Sequence, residues 1–153
     1  MKISEILQED NIIPKLKAHD KKTVLEELAE VISNHEPSVD KKTLIKVLME
    51  REVLGTTGIG DGVAIPHGKL NGIKHPIISF GRSKEGLDFN AMDGQPVHLF
   101  FLLVAVENSS GVHLQVLAKI AKVLKSSAFR KKLMDVSTRK EIYDTIIEND
   151  EES

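Results

Sequence analysis

Residues 97–106 read VHLFFLLVAV, apolar at every position except His98. A strand with one solvated face alternates apolar and polar side chains. This unbroken run of branched and aromatic residues therefore predicts a central strand covered by helices on both sides. A membrane-spanning helix needs about 20 apolar residues, so the run is too short to be one. Upstream of it, residues 63–66 and 76–81 read as further strands. Residues 20–33 carry Val24, Leu25, Leu28, Val31 and Ile32 at helical spacing, with Asp20 as N-cap. A second helix starts at Asp40, with Leu44, Ile45, Leu48 and Met49 on one face. Downstream, Ser109 and Ser110 offer N-caps for a helix to about Lys125; shorter helices are predicted over 127–134 and 138–147. The acidic tail 148–153 is expected to fray. Helices at both ends with strands between them predict an α/β fold, a single-domain sandwich with a mixed β-sheet flanked by helices on both sides. No linker or low-complexity stretch divides residues 1–153.

The 153 residues are 41% hydrophobic and 29% charged, the balance of a globular protein. A net charge of −2 offers no general attraction to nucleic acid or to an anionic membrane. The absence of cysteine removes disulfides, thiol nucleophiles and cysteine zinc sites, and is compatible with a reducing compartment. The N-terminal residues MKISEILQEDNII lack the apolar core of a signal peptide. The expectation is a cytoplasmic protein without direct membrane insertion.

Six histidines stand at positions 19, 35, 67, 75, 98 and 113, and no pair has the i, i+4 spacing of HExxH, so no metal site is expected. His67 is set apart by its neighbours. It follows a predicted strand, sits between Pro66 and Gly68, and comes just after the glycine-rich loop GTTGIGDG at 55–62. Thr57, Gly58, Gly60 and Gly62 in that loop are candidate amide donors for a phosphoryl group on His67, as in anion-binding nests, and Gly68 would let another molecule come close behind the ring. A residue at a tight turn is the alternative reading of His67.

His113 falls in the first turn of its predicted helix. The positive helix end disfavours imidazolium, and a neutral ring there could donate one hydrogen bond to a phosphoryl oxygen, or merely pack against the helix end. Arg51 ends the second helix. As a complement to the helix dipole it contributes about 0.3–1 kcal/mol. At about 4 Å from a phosphoryl group it would gain about 4 kcal/mol per unit charge at an effective dielectric of 20, before desolvation. The basic stretch formed by Lys119, Lys122, Lys125, Arg130, Lys131 and Lys132 reads as a solvated helix face, and the other four histidines as surface or strand residues.

The segment REVLGTTGIGDGVAIPHGK at 51–69 resembles the active-site signature of the enzyme IIA components of the fructose–mannitol class. These belong to the bacterial phosphoenolpyruvate-dependent phosphotransferase system. The likeness continues in DGQPV at 93–97 and HLQVL at 113–117, and TTGIGDGVAIPHGKL is most similar to the nitrogen-regulatory IIA subgroup. The resemblance implies a phosphocarrier with no cofactor. His67 would be phosphorylated on Nε2, His113 would contact the phosphoryl group, and Arg51 would be the cation beside it. The implied donor is a phosphohistidine of an HPr-type carrier or its nitrogen-branch counterpart, and the implied acceptor a cysteine of a IIB domain or a regulatory target. A purely regulatory module without onward sugar phosphorylation is the alternative. A hydrolase with His67 as general base lacks a partner at triad spacing. One departure from many relatives is AVENSSG at 105–111, which has no proline ahead of the second histidine.

Overall fold

The structure, a computed structural model, describes residues 1–150. A 3₁₀ turn (Ile3–Glu5) leads into β1 (Leu7–Ile13), α1 (Lys21–His35) and α2 (Lys41–Leu54). Three short strands follow, β2 (Gly58–Gly60), β3 (Val63–Ala64) and β4 (His67–Leu70), then two long ones, β5 (Ile77–Leu87) and β6 (Val97–Val106). The chain closes with α3 (Ser110–Leu124), α4 (Ser127–Asp135) and α5 (Arg139–Glu148). The strands form one mixed sheet in the order β1-β5-β6-β3-β2, with β4 also paired to β6. β6 runs antiparallel to β5 and parallel to β3 and β4.

The apolar run thus has strands on both edges and helices on both faces. Phe100, Leu102 and Val104 pack with Val24, Leu25 and Leu28 of α1 and Leu44 and Leu48 of α2. Leu99, Phe101 and Leu103 pack with Val116 and Ile120 of α3, Phe129 and Leu133 of α4, and Ile142 and Ile146 of α5. Successive side chains of a strand point to opposite faces, so a strand feeding two cores has no polar face to alternate.

Asp20 and Asp40 cap their helices as expected, accepting from the amides of Thr23 at 2.8 Å and Thr43 at 3.0 Å. Ser109 occupies the N-cap position of α3, but its side chain makes no cap bond. Its backbone (φ −120°, ψ 47°) is not the extended form that aims a hydroxyl at the following amides. The turn before it is made by Asn108, in the left-handed region at φ 70°, with the Ser109 amide donating to the carbonyl of Val106.

The sequence reading did not foresee the 3₁₀ turn, β1, β2, β4 or the second half of β5: it took 55–62 as a loop and ended the strand from Val63 at Pro66. The tail is also more ordered than expected as far as Asp150. The buried Asp150 carboxylate accepts the Ser4 amide at 3.1 Å and lies 3.4 Å from Lys119 Nζ, so Lys119 is not a freely solvated residue. Residues 151–153 of the expected frayed tail lie outside the described residues. No helix among the described residues is long and apolar enough to cross a membrane.

Arg82 of β5 is buried and knots distant segments together. Its guanidinium donates to the carbonyls of Pro14 (3.0 Å), Leu133 (2.8 Å), Val136 and Ser137 (3.4 Å). Burial pulls its pKa down from the usual arginine value, while the charge of Glu141 opposes that shift.

Candidate functional site

β3 and β4 keep one register along β6, Val63 opposite Leu99 and His67 opposite Leu103, and the ladder between them is interrupted at Ile65–Pro66. Pro66 has no amide to donate. The Pro66 carbonyl accepts the Leu103 amide at 2.9 Å, and the Ile65 amide turns to the Thr57 carbonyl at 3.0 Å. The Ile65 carbonyl is then free to meet the side chain of His67, 2.8 Å from Nδ1. A carbonyl only accepts, so Nδ1 carries the ring proton and Nε2 keeps its lone pair. His67 therefore opens a strand and does not simply trail one.

Arg51, in the last turn of α2, points its Nε–H at that lone pair, 3.3 Å from His67 Nε2. Its Nη1 donates to the Gly55 carbonyl at 2.8 Å. His113 brings its ring to 5.3 Å from the His67 ring, centroid to centroid, tilted by 53°. It is 8% exposed, and its buried Nδ1 has no hydrogen-bond partner. A buried polar atom without a partner is uncommon, so this ring, set beside the half-exposed His67, has unused hydrogen-bonding capacity.

The three chemical candidates converge; the loop does not. The amide of Thr57 donates to Glu52 Oε1 at 3.1 Å and its hydroxyl to Glu52 Oε2, and the Gly58 amide donates to Thr56 Oγ1 at 3.1 Å. Gly60 and Gly62 take left-handed backbone (φ 100° and 77°) and face Asp93 and His98 respectively. His98 stands five positions along β6 from Leu103, about 16 Å at roughly 3.3 Å per residue. Thr57, Gly58, Gly60 and Gly62 are thus no amide cradle for His67; they shape the turn that returns the chain to the sheet. Gly68 opens space for α2 and not for a visitor, since a Cβ there would lie 2.5 Å from Val47 Cγ1.

Sequence reasoning missed Glu52, whose carboxylate is buried between Lys21 Nζ at 3.1 Å and Thr57. Its signal was faint: an acidic residue in the last turn of a helix, where the dipole disfavours it.

Burial first, then the charge of Arg51, lowers the His67 pKa, against the Ile65 hydrogen bond and the Glu52 charge, which raise it. His113 is lowered by burial, then by His67 and Lys69. Both rings are neutral at neutral pH. As pH falls through the ordinary value of 6.5 the unfolded chain takes up these protons before the folded one, so stability drops from there down to the lowered folded values. Ring-nitrogen NMR titration is expected to place both midpoints below 6.5; a midpoint at or above it contradicts the burial described here. Among the described residues no cluster of three histidine, aspartate or glutamate side chains is placed to hold a metal ion.

Residues 5–149 match the family described as the phosphoenolpyruvate-dependent sugar phosphotransferase system, EIIA 2. The chain is 40% identical over 146 residues to a nitrogen regulatory protein of Bradyrhizobium diazoefficiens, covering 95% of each. It is 35% identical over 150 residues to the fructose-specific EIIABC component of Bacillus subtilis, covering 98% of this chain but only 24% of that one. Its fold matches the crystal structure of the nitrogen regulatory protein IIA-Ntr from Neisseria meningitidis with a TM-score of 0.88 and 38% identity, over 94% of this chain and 98% of the other.

Proposed function

This chain belongs to the EIIA 2 family of the phosphoenolpyruvate-dependent sugar phosphotransferase system, and on that premise we propose that it carries its phosphoryl group on Nε2 of His67. The protein is a phosphocarrier that passes the group on or signals through its phosphorylation state. These relatives do not favour a purely regulatory module.

The observation that carries the assignment is the fixed tautomer: Nδ1–H held by the Ile65 carbonyl, and Nε2 turned to Arg51. Nε2 attacks phosphorus in line, a new N–P bond forms, and the N–P bond of a donor phosphohistidine breaks, its electron pair leaving with the donor imidazole. No proton leaves His67. The ring gains positive charge, which strengthens its hydrogen bond to Ile65. The Arg51 N–H that faces the lone pair turns to the phosphoryl oxygens, and His113 donates one further hydrogen bond to them.

A protein must bring the donor, and the surroundings fit one. Val53 and Leu54, two and three residues after Arg51, are each 84% exposed, and Val112 and Leu114 flank His113 with exposed apolar side chains. Apolar residues gathered around a reactive centre suit protein contact. The donor is an HPr-type phosphocarrier. The acceptor is a IIB cysteine, as fits the likeness to an EIIABC component, or a regulatory target, as fits the likeness to nitrogen regulatory proteins. All of these meet in the cytoplasm.

Incubation with ³²P-labelled HPr-type carrier is expected to give acid-labile, base-stable label that peptide mapping places on residue 67. Unlabelled wild-type protein would sink the assignment. His113→Ala is expected to slow labelling about 100-fold without abolishing it, as for loss of one charge-stabilising donor; an unchanged rate removes His113 from the reaction.

A further inference from the structure

We infer that Glu52, neutralised by Lys21, is the positioning residue that fixes both the tautomer of His67 and the aim of Arg51, an inference that rests on His67 being the phosphoryl acceptor. Glu52 touches neither ring nitrogen. It acts through two hydrogen-bonded routes that meet at the imidazole.

The first route runs through the strand break. Glu52 Oε1 takes the Thr57 amide at 3.1 Å and Oε2 takes the Thr57 hydroxyl. The Thr57 carbonyl takes the Ile65 amide at 3.0 Å, and the Ile65 carbonyl takes His67 Nδ1–H at 2.8 Å. The second route runs through the helix end. The Gly55 amide donates to the Glu52 carbonyl at 3.1 Å, the Gly55 carbonyl holds Arg51 Nη1 at 2.8 Å, and Arg51 Nε reaches His67 Nε2 at 3.3 Å. Residues 55–57 are thus gripped at one end by the Glu52 backbone and at the other by its side chain. That grip sets where the Gly55 carbonyl and the Ile65 amide stand.

A carboxylate suits this position because one side chain must accept from an amide, a hydroxyl and an ammonium. Its side chain is 4% exposed, and an unpaired charge so buried would be unfavourable. Lys21 supplies the opposite charge at 3.1 Å, and its Nζ also lies 4.7 Å from the centre of the Phe89 ring, which favours a cation there.

The test is made on full-length wild-type protein and on Glu52→Ala, Glu52→Gln and Thr57→Val. Two-bond ¹H–¹⁵N spectra of the unphosphorylated proteins at about pH 8 report the His67 tautomer without any donor. Wild type is expected to show Nδ1–H alone, Glu52→Ala a mixture, and Glu52→Gln, which can still accept the Thr57 amide, near-wild-type spectra. Phosphorylation by HPr-type carrier is expected to fall about 100-fold in kcat for Glu52→Ala with KM little changed, the scale of a displaced reacting group, and to recover largely in Glu52→Gln. Thr57→Val, which removes only the hydroxyl contact, is expected to fall between them and provides the reading if Glu52→Ala does not fold. A single wild-type tautomer in a folded Glu52→Ala or in Thr57→Val, or a defect confined to KM, would overturn the inference. Failure of wild type to label, with the tautomer shift still present, would instead overturn the phosphoryl assignment alone.

Discussion

His67→Ala is expected to lose labelling from a phosphorylated carrier entirely, by at least about 10⁴-fold, because removing a covalent nucleophile removes the reaction and not merely a stabilising contact. Besides the Arg51–His67 hydrogen bond, helix α2 and strand β4 pack through Val47 against Gly68, and that packing survives loss of the imidazole, so the variant is expected to keep its fold. Its melting temperature is expected to stay close to that of wild type. The neighbouring imidazole does not substitute, since His113 is held by α3 with its ring centre 5.3 Å from that of His67 and with Nδ1 buried. Label that persisted at full level in His67→Ala would move the acceptor elsewhere. In wild type the phosphorus is expected on Nε2, because Ile65 occupies Nδ1.

The largest loss of stability is expected at Arg82. Arg82→Met keeps much of the aliphatic volume and leaves the carbonyls of Pro14, Leu133, Val136 and Ser137 without their donor. An unsatisfied buried polar group costs about 1–3 kcal/mol, and partial access of water to some of these carbonyls reduces their sum. The expected destabilisation is about 3–5 kcal/mol, or a fall in melting temperature of ~10 °C or more for a chain of this size. Chemical denaturation followed by circular dichroism measures it. Arg82→Lys is expected to recover only part, because a single ammonium cannot span carbonyls from residue 14 to residue 137 as a planar fork does. A loss below about 1 kcal/mol for Arg82→Met would show that these carbonyls are readily hydrated.

The layers and the candidate trio His67, His113 and Arg51 were legible because each leaves a local signature. A strand buried on both faces shows as an unbroken apolar run, and a helix start as an aspartate before helical spacing; both readings held at 97–106, Asp20 and Asp40. His67, His113 and Arg51 could be named from residue type and motif, and the structure places them together. β1 was hidden because Gln8, Glu9 and Asp10 interrupt its apolar ends, as an edge strand paired on one side with a register shift permits. The end of β5 was hidden by Lys84 and Glu85, which face solvent. The glycine loop misled for a different reason. Composition shows that a backbone must turn sharply, but not toward what, and here the turns serve Asp93 and His98. Glu52 stayed invisible because its partners come from residues 21 and 57, which only the fold brings together.

The tight seating of Gly68 against Val47 has a kinetic consequence. The strand that begins with the proposed acceptor, His67, and the helix whose last turn carries Arg51 pack without a gap, so transfer at His67 is expected to need little internal rearrangement after collision. Throughput is then governed by how often, and in what orientation, two proteins meet. Ionic strength and carrier concentration become the throttles, more than any opening or closing within this chain.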